Sequence, residues 1–266
     1  MKYIVCNTEQ SVFNRVYDEL EKYIEPGAVF SFSEKILDTQ FSKRIIEEHK
    51  NGKYSYKHII FLGQKEISGI EKEEDVGFYR IMKRNFYKPL DVDYKNIFSP
   101  EYINEKDINK YKEIIDDNKI DVALIFLDKN GYILNYNEVT KENEDVHLFK
   151  ISKEKKQEIK RKYNIDAKSD KIITIGYDCI MKANNIFLIA IGEDKKDYVK
   201  KLFDEEEDKS ILTLIKKHKN LVIFTDKNAS YKTEIEVDKM MKERKRKKEL
   251  EEKRKSELRL KENYGN

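Results

Sequence analysis

The sequence is poor in cysteine and in the residues that interrupt helices and strands: of 266 residues, two are Cys, three are Pro and nine are Gly. It contains no Trp. Cys6 and Cys179 lie far apart in apolar contexts, which excludes a disulfide framework and a cysteine-based metal site and favours buried thiols. No apolar run approaches the roughly 18 residues of a transmembrane helix, and "MKYIVCNTEQ" turns polar too early for a signal peptide. We therefore predict a cytoplasmic protein, and we expect neither a metal nor a cofactor.

Outside one segment, positive and negative residues nearly balance. The chain has a net charge of +3, yet residues 239–262 hold twelve Lys or Arg and six Glu, a local net charge of +6. The remainder is therefore slightly acidic, which argues against a basic nucleic-acid-binding surface on the globular part.

Short apolar runs alternate with amphipathic stretches along the rest of the chain. Runs that are apolar at consecutive positions suit strands covered on both faces, and strand–helix alternation favours a parallel sheet. We predict an α/β fold, a three-layer α/β/α sandwich with a mostly parallel Rossmann-like sheet, plus a charged C-terminal helix. The predicted strands are 3–6, 28–32, 58–63, 122–127, 132–136, 172–176, 186–192 and 221–225. The predicted helices are 9–24, 38–51, 75–85, 105–117, 152–163, 176–183, 194–204 and 208–217.

The basic segment divides the chain into a predicted domain over residues 1–232 and a helical tail over 233–266. The tail has strong helix formers and Glu–Lys pairs four residues apart, but its apolar residues keep no heptad spacing. One reading is a solvated helix or a frayed tail. The other is contact with nucleic acid, an anionic surface or a protein partner.

The predicted helix that contains "FYRIMKRNFY" (78–87) is rich in Tyr and Phe, and it lies within a stretch from about residue 30 to 230. That stretch resembles the glucosamine-6-phosphate deaminase/isomerase family, which has a similar Tyr/Phe-rich helix, with a weaker likeness to 6-phosphogluconolactonases. The resemblance continues through "SYKHIIFLGQKEISGI" (55–70), "KIDVALIFLDKNGYILNYNEV" (119–139), "IITIGYDCIMKANNIFLIAIGEDKKDYV" (172–199) and "KNLVIFTDKNAS" (219–230).

The resemblance implies a sugar-phosphate ligand and a place in amino-sugar and carbohydrate metabolism. The family converts an amino-sugar phosphate to a keto-sugar phosphate and ammonia. That reaction needs a base beside the carbonyl carbon, a His that helps to open the ring, and donors that hold the phosphate. Enzymes of this family often form rings, so the resemblance also allows a homo-oligomer.

The acid–base positions of the family have changed here. Lys65 stands where the resemblance places the proton-abstracting Asp, and Glu66 matches the acid that follows it. A lysine is a base only when its pKa is strongly lowered, so we predict that Lys65 is a solvated surface residue.

The loop "KNGYILNYNEV" (129–139) resembles the ring-opening loop of the family. It keeps Gly131, Asn137 and Glu138, but it has Asn130 for an Asp and Tyr132 for the His. A Tyr with an ordinary pKa near 10 is a poor proton shuttle at neutral pH. The candidate catalytic residues that remain are Glu138, Tyr132 and Glu66.

The phosphate-binding positions are only partly kept. The glycine-rich loop of the family falls at "SEKILD" (33–38), where glycine is missing and Glu34 and Asp38 would repel a phosphate. That stretch also reads as an ordinary helix entrance capped by Ser33. Arg161 and Lys195, in contrast, fall at cationic phosphate-binding positions of the family.

Three functions follow from these residues. We favour a catalytically degenerate member of the family that binds a phosphosugar. The alternative is an active glucosamine-6-phosphate deaminase, or a related sugar-phosphate isomerase or hydrolase, that uses Glu66, Glu138 and Tyr132. That alternative predicts that Glu138 and Tyr132 share a pocket with Lys195. The third is a scaffold or nucleic-acid-associated protein that acts through the tail.

Overall fold

The computed structural model describes residues 1–71, 74–136, 138–167, 169–204 and 209–264. In chain order the strands are β1 (Lys2–Cys6), β2 (Val29–Phe32), β3 (Ile60–Gly63), β4 (Lys65–Ile67), β5 (Ile97–Phe98), β6 (Val122–Phe126), β7 (His147–Lys150), β8 (Lys171–Thr174), β9 (Asn185–Ala190) and β10 (Leu221–Asp226). The α-helices are α1 (Glu9–Leu20), α2 (Gln40–Lys50), α3 (Phe78–Met82), α4 (Lys106–Asp117), α5 (Lys153–Tyr163), α6 (Tyr177–Met181), α7 (Lys196–Lys201), α8 (Ile211–Ile215) and α9 (Glu234–Tyr264).

The central sheet has seven strands in the order β1-β10-β9-β6-β2-β3-β5, and every neighbouring pair is parallel. Because parallel strands end at the same edge, the segments that follow β2, β3, β6, β9 and β10 meet there. A small antiparallel sheet, β4-β8-β7, lies at that edge, since β4 begins two residues after β3 ends.

Two large apolar clusters cover the two faces of the central sheet. One joins the sheet to α1, α2 and α3, and it contains the buried rings of Phe30, Phe61 and Phe86. The other joins the sheet to α4, α6, α7 and α8. The α/β fold, its three layers and the mostly parallel sheet are therefore confirmed.

The helix that carries the family resemblance is a packing element. After α3 the chain continues as a π-helical turn over Lys83–Tyr87, in which Phe86 and Tyr87 are buried. The ring centroids of Phe61 and Phe86 lie 5.9 Å apart, edge to face. The aromatic residues of this helix therefore resemble the family because they pack in the core.

One predicted strand was wrong, and three strands of the structure, β4, β5 and β7, were not predicted. Residues 132–136 form a turn, in which Leu134 (φ 55°) and Asn135 (φ 75°) adopt left-handed backbone conformations that a strand cannot contain. The strand β7, in contrast, was not predicted, because "HLFK" is half-buried and has no apolar run.

Among the described side chains, residues of the first turns of the C-terminal helix α9 contact the body. Val237 is buried, and the Arg244 guanidinium donates to the Phe203 carbonyl oxygen. From Lys245 to Glu257 every residue is exposed. The charged helix predicted at the C-terminus is therefore present, and its distal part is solvated.

Candidate functional site

The carboxyl edge of the central sheet gathers polar side chains from five strand ends. Ser33, Glu34 and Lys35 follow β2, and Gln64 and Lys65 follow β3. Glu34–Ile36 forms a single 3₁₀ turn, and the Ser33 side chain makes no capping hydrogen bond. The helix that follows, α2, is capped by Thr39 instead. The predicted helix entrance capped by Ser33 was therefore wrong.

Lys65 is buried at this edge. Its side chain is 8% exposed, and its ammonium nitrogen lies 2.9 Å from Glu34 Oε1. It also lies 4.8 Å from the ring centroid of Phe78. The prediction of a solvated Lys65 was wrong, because β2 and β3 are neighbours and bring its partner acid within reach.

Glu34 is as deeply buried as its partner, at 3% exposure. Burial by itself would raise the pKa of Glu34, but the positive charge and hydrogen bond of Lys65 offset this, and the pKa lies below its usual range. The Tyr163 hydroxyl donates to Glu34 Oε1 over 3.3 Å, while no described residue hydrogen-bonds to Oε2. The pair is thus a mutually neutralised, buried unit.

Lys35 is the second amine at the end of β2. It is half-buried, and its ammonium nitrogen lies 5.8 Å from the ring centroid of Phe126. Burial, followed by the like charge of Lys65, lowers the pKa of Lys35 to about 8.

Gln64 ties three strand ends together. Its amide nitrogen donates to the Ser31 carbonyl oxygen over 3.1 Å and to the Leu124 carbonyl oxygen over 2.9 Å. The backbone carbonyl oxygen of Gln64 accepts from the Ile175 backbone N–H over 3.0 Å. Gln64 therefore has a structural role that fixes β3 against β2 and β6.

Glu66 caps a helix and does not face the Glu34–Lys65 pair. Its carboxylate accepts backbone N–H bonds from Phe78 (2.8 Å), Tyr79 (2.7 Å) and Ile67 (2.8 Å). Burial raises the pKa of Glu66 to about 7, although these three bonds oppose the shift. Gly77 permits the contact, because a Cβ there would lie 2.8 Å from Glu66 Oε1.

The loop after β6 is organised around Asp128. Asp128 Oδ1 accepts from the backbone N–H groups of Asn130 (2.8 Å) and Tyr132 (2.9 Å). Gly131 lies against the ring of Tyr198 in α7, where a Cβ would come within 2.4 Å of a ring carbon. Tyr132 is half-buried, and Asn137 lies outside the described residues.

Glu138 is exposed near the start of α8. It forms an isolated backbone bridge with Ser210, and its carbonyl oxygen accepts from the Asn143 amide over 2.9 Å. The three candidate catalytic residues therefore occupy different surroundings. Glu66 is buried, Tyr132 is half-buried and Glu138 is solvated.

The two candidate phosphate-binding cations stand on different elements. Arg161 is exposed on the last turn of α5, where no described residue bonds to its side chain. Lys195 follows the turn at Gly192 (φ 95°), its side chain is 18% exposed, and its ammonium binds the Asp194 carboxylate at 2.7 and 2.8 Å.

Two small cavities lie at the carboxyl edge. One, of about 10 Å³, is lined by Glu34, Lys65 and Phe78 among others. The second, of about 20 Å³, is lined by Ser33, Lys35, Gln64, Lys65, Phe126, Leu134, Asn135 and Thr174. Neither is lined by Glu138, Tyr132 or Lys195, as the active-enzyme reading would need, and both are far smaller than the roughly 300–1,000 Å³ of typical small-molecule sites.

Within the described ranges, no group of three or more His, Cys, Asp or Glu side chains is placed to hold a metal ion. Within the same ranges, no helix combines the length and apolarity that crossing a bilayer would need.

The sequence analysis did not identify the cluster of Glu34, Lys65, Lys35 and Tyr163 as a unit. A signal was present, because charged residues directly follow two buried strands, in "VFSFSEK" and "IFLGQK". Charged residues at the ends of neighbouring parallel strands converge, but the sequence does not show which strands are neighbours.

The chain is similar in sequence to proteins named glucosamine-6-phosphate deaminase. The chain is 25% identical over 238 residues to the glucosamine-6-phosphate deaminase of Mycoplasma mycoides subsp. mycoides SC, which covers 87% of this chain and 97% of that protein. It is 27% identical over 196 residues to the deaminase of Clostridium perfringens, which covers 71% of this chain and 80% of that protein. No family model matches the chain.

Solved structures agree with these relatives. A monomeric glucosamine-6-phosphate deaminase superposes with a TM-score of 0.74 at 19% identity, covering 86% of this chain and 98% of that one. A 6-phosphogluconolactonase from Trypanosoma brucei superposes with a TM-score of 0.64 at 14% identity, covering 86% and 97%. The resemblance inferred from the sequence is therefore confirmed, and so is the fold.

Proposed function

We propose that this relative of the glucosamine-6-phosphate deaminases is catalytically degenerate and binds a sugar phosphate without deaminating it. The observation that carries the proposal is the buried Glu34–Lys65 ion pair. The resemblance assigns the proton-abstracting carboxylate to the position of Lys65. An ammonium that donates to a buried carboxylate has no free lone pair with which to take a proton.

The other acid–base positions support the same proposal. Glu66 uses its carboxylate to accept three backbone N–H groups, so it is committed to the start of α3. Tyr132 replaces the ring-opening His, and Glu138 stands in solvent. A base, a His and a relay acid that act as one unit need a common cavity, which these three residues do not form.

The binding half of the proposal rests on Lys195. The turn that begins at Gly192 places its ammonium at the carboxyl edge, where α/β sheets bind ligands. Its only described partner is its chain neighbour Asp194. A phosphate with two negative charges would compete for that ammonium, and Arg161 would supply a second cation.

The test combines turnover and binding in the same samples. Purified protein is assayed for ammonia release from glucosamine 6-phosphate and for thermal stabilisation by that compound. We expect no turnover, and a ligand-dependent rise in Tm that Lys195→Ala abolishes and Lys195→Arg partly keeps. Turnover that Glu138→Gln abolishes would overturn the proposal in favour of an active deaminase.

Helix α9 supports a second candidate function, contact with a nucleic acid. Its exposed turns carry most of the basic segment, and a mixed-charge groove of about 940 Å³ lies between α9 and the residues that follow α7 and α8, Leu202, Asp204, Lys216 and Lys217. Arg246, Lys247 and Lys248 are exposed, so replacing all three by Gln removes three positive charges and leaves the anchoring Val237 and Arg244 in place. This function predicts RNA binding that weakens steeply from about 50 to 200 mM salt and is weakened further by the triple variant. Binding that the triple variant leaves unchanged would contradict it.

A further inference from the structure

We propose that the cavity of about 20 Å³ at the carboxyl edge binds a halide ion, such as chloride, as the counter-ion of Lys35. The inference goes beyond the proposed sugar-phosphate binding and does not rest on it. Two amines, two hydroxyls and two amides line the cavity beside two apolar side chains, and no described residue of the lining is acidic. A lining that is rich in donors and has no carboxylate favours an anion.

Lys35 is the cation that needs this counter-ion. The adjacent acid, Glu34, is bound to Lys65 at 2.9 Å, and no described acid forms an ion pair with Lys35. The Lys35 nitrogen lies 5.8 Å from the ring centroid of Phe126, a contact that favours the ammonium form. With a pKa of about 8, Lys35 is about nine-tenths charged at pH 7. A charge that has lost part of its hydration is stabilised by an ion of opposite sign beside it.

Asp128 does not fill this role. It attracts Lys35 from a distance, but its Oδ1 atom accepts from the backbone N–H groups of Asn130 and Tyr132. Asp128 is also absent from the described lining of the cavity. Lys155 adds a further positive charge near Lys35. The cavity therefore borders the ammonium without bordering an acid that would neutralise it.

The donors of two lining residues are already used. The Gln64 amide donates to two backbone carbonyl oxygens, and the Thr174 hydroxyl donates to the Gln64 backbone carbonyl oxygen over 3.2 Å. An anion in the cavity would therefore bind to the other polar groups of the lining.

Those other groups have donors to offer. The Ser33 hydroxyl makes no capping bond, and no described residue hydrogen-bonds to it or to the Asn135 amide. Lys65 directs its ammonium at Glu34, but an ammonium has three N–H donors. Together with Lys35, these groups give an anion up to four donor side chains from three segments of the chain.

A tight turn after β6 brings Asn135 to the cavity. Ile133 and Tyr136 exchange backbone hydrogen bonds of 3.1 and 3.2 Å around it. The two residues between them, Leu134 (φ 55°) and Asn135 (φ 75°), have left-handed backbone conformations. A leucine rarely adopts this conformation, and such strained residues are concentrated at ligand-binding segments.

The size of the cavity selects the ion. Its volume of about 20 Å³ exceeds the roughly 10–15 Å³ that one water requires. A halide ion is only slightly larger than a water molecule, whereas a phosphate or a sugar phosphate is several times larger. Water fits the same space, but it brings no charge to offset that of Lys35.

The direct test is diffraction from crystals of the full chain in sodium bromide, because bromide scatters anomalously. At about 0.15 M bromide, close to physiological ionic strength, we expect an anomalous peak inside the cavity and in contact with the Lys35 nitrogen. A water without anomalous signal in the cavity, or bromide bound only to exposed lysines elsewhere, would overturn the proposal.

Thermal unfolding tests the same site in solution without any sugar phosphate. Sodium chloride is compared with sodium methanesulfonate, whose anion is too large for the cavity, at equal concentration. We expect chloride to raise the Tm by about 2 °C relative to methanesulfonate. Lys35→Met should abolish this rise, and Lys43→Met, which removes an exposed lysine of α2, should keep it. An equal rise in both variants would overturn the proposal.

A second variant supplies the counter-ion from the protein itself. Asn135→Asp adds a carboxylate to the lining, and Asp tolerates the left-handed conformation as Asn does. We expect its Tm to be the same in chloride and in methanesulfonate, and to be no lower than that of the wild type in methanesulfonate. A chloride-dependent rise as large as that of the wild type would show that the anion binds elsewhere.

Discussion

Glu34 and Glu66 are two buried carboxyl groups at the same sheet edge, each 3% exposed, whose pKa values shift in opposite directions. Glu34 has the Lys65 ammonium at 2.9 Å, and its pKa is lowered. The described hydrogen-bond donors to the Glu66 carboxylate are backbone N–H groups, and burial raises its pKa to about 7. Burial is common to both, so the presence of one cation decides which carboxyl stays ionised.

The same comparison separates structure from chemistry at this edge. General acids and bases often have a carboxyl group with a pKa near 7. The carboxylate oxygens of Glu66, however, accept backbone N–H groups, two of them at the start of α3. Glu34 is ionised but neutralised by its partner. Neither carboxyl is available to a substrate, which agrees with the proposed loss of catalysis.

The largest effect should come from removing the cation that distinguishes the two sites. Lys65→Met would leave Glu34 buried without its cationic partner, and we expect the free energy of unfolding to fall by about 3–5 kcal/mol in urea titrations at pH 7. The double variant Glu34→Leu/Lys65→Met should recover most of that loss, since an apolar pair of similar volume needs no compensation. A double variant as unstable as the single one would contradict this account.

The second effect is a pH dependence of opposite sign at the two carboxyls. Glu66 has a folded pKa raised above its unfolded value near 4.3, so its contribution to stability is full below about pH 4.3 and is lost as the pH rises through about 7. The free energy of unfolding of Glu66→Gln, relative to that of the wild type, should therefore rise between about pH 4.3 and 7, by up to about 3 kcal/mol.

Glu34→Gln provides the matched comparison. The folded pKa of Glu34 is lowered, so its stabilisation is present above the unfolded pKa and is lost as the pH falls through the folded pKa. The free energy of unfolding of Glu34→Gln, relative to that of the wild type, should therefore fall as the pH rises toward about 4.3. Measuring the free energy of unfolding of both variants from about pH 3 to 8 tests both predictions. Parallel curves for the two variants would contradict the opposite pKa shifts of Glu34 and Glu66.

A smaller effect is expected at the glycine that admits Glu66 to the helix end. Gly77 has φ 102° and would place a Cβ 2.8 Å from Glu66 Oε1, whereas Gly69 has φ 76° and open space around it. We expect Gly77→Ala to cost about 1–3 kcal/mol more than Gly69→Ala in thermal or urea unfolding. Equal costs would mean that backbone strain, and not the contact with Glu66, explains the glycine.

The smallest effect should occur at Lys195. Its ion pair with Asp194 lies near the surface, so Lys195→Ala should change the unfolding free energy by less than about 1 kcal/mol in ligand-free protein. A much larger loss of unfolding free energy in Lys65→Met than in Lys195→Ala would show that the fold requires Lys65 and does not require Lys195. A large destabilisation by Lys195→Ala would assign Lys195 to the fold.

Much of the fold could be predicted because its signals are local. The apolar runs at 3–6, 122–127 and 221–225 became central strands, and the amphipathic stretch at 105–117 became α4 over Lys106–Asp117. Residues 132–136 misled the prediction, because an apolar–polar run also suits a turn whose Leu134 and Ile133 pack inward.

The candidate site was harder to predict because its contacts join distant positions. Lys65 was expected in solvent, since nothing near it in the chain would strongly lower its pKa; its partner Glu34 is 31 residues away and is reached through the pairing of β2 with β3. Glu66 was expected among the catalytic candidates, but its three backbone donors come mainly from a helix that starts twelve residues later.

The sequence by itself determined the layered α/β architecture, the charged terminal helix and which residues stand at the positions that the resemblance assigns to acid–base chemistry, because periodicity, composition and residue identity are all local. Only the tertiary structure decided what the replacements do. It paired Lys65 with Glu34, used Glu66 as a helix cap and left Lys35 beside Phe126. The physical reason is that burial and charge proximity fix the ionisation of a side chain, and both depend on which strand ends meet in space.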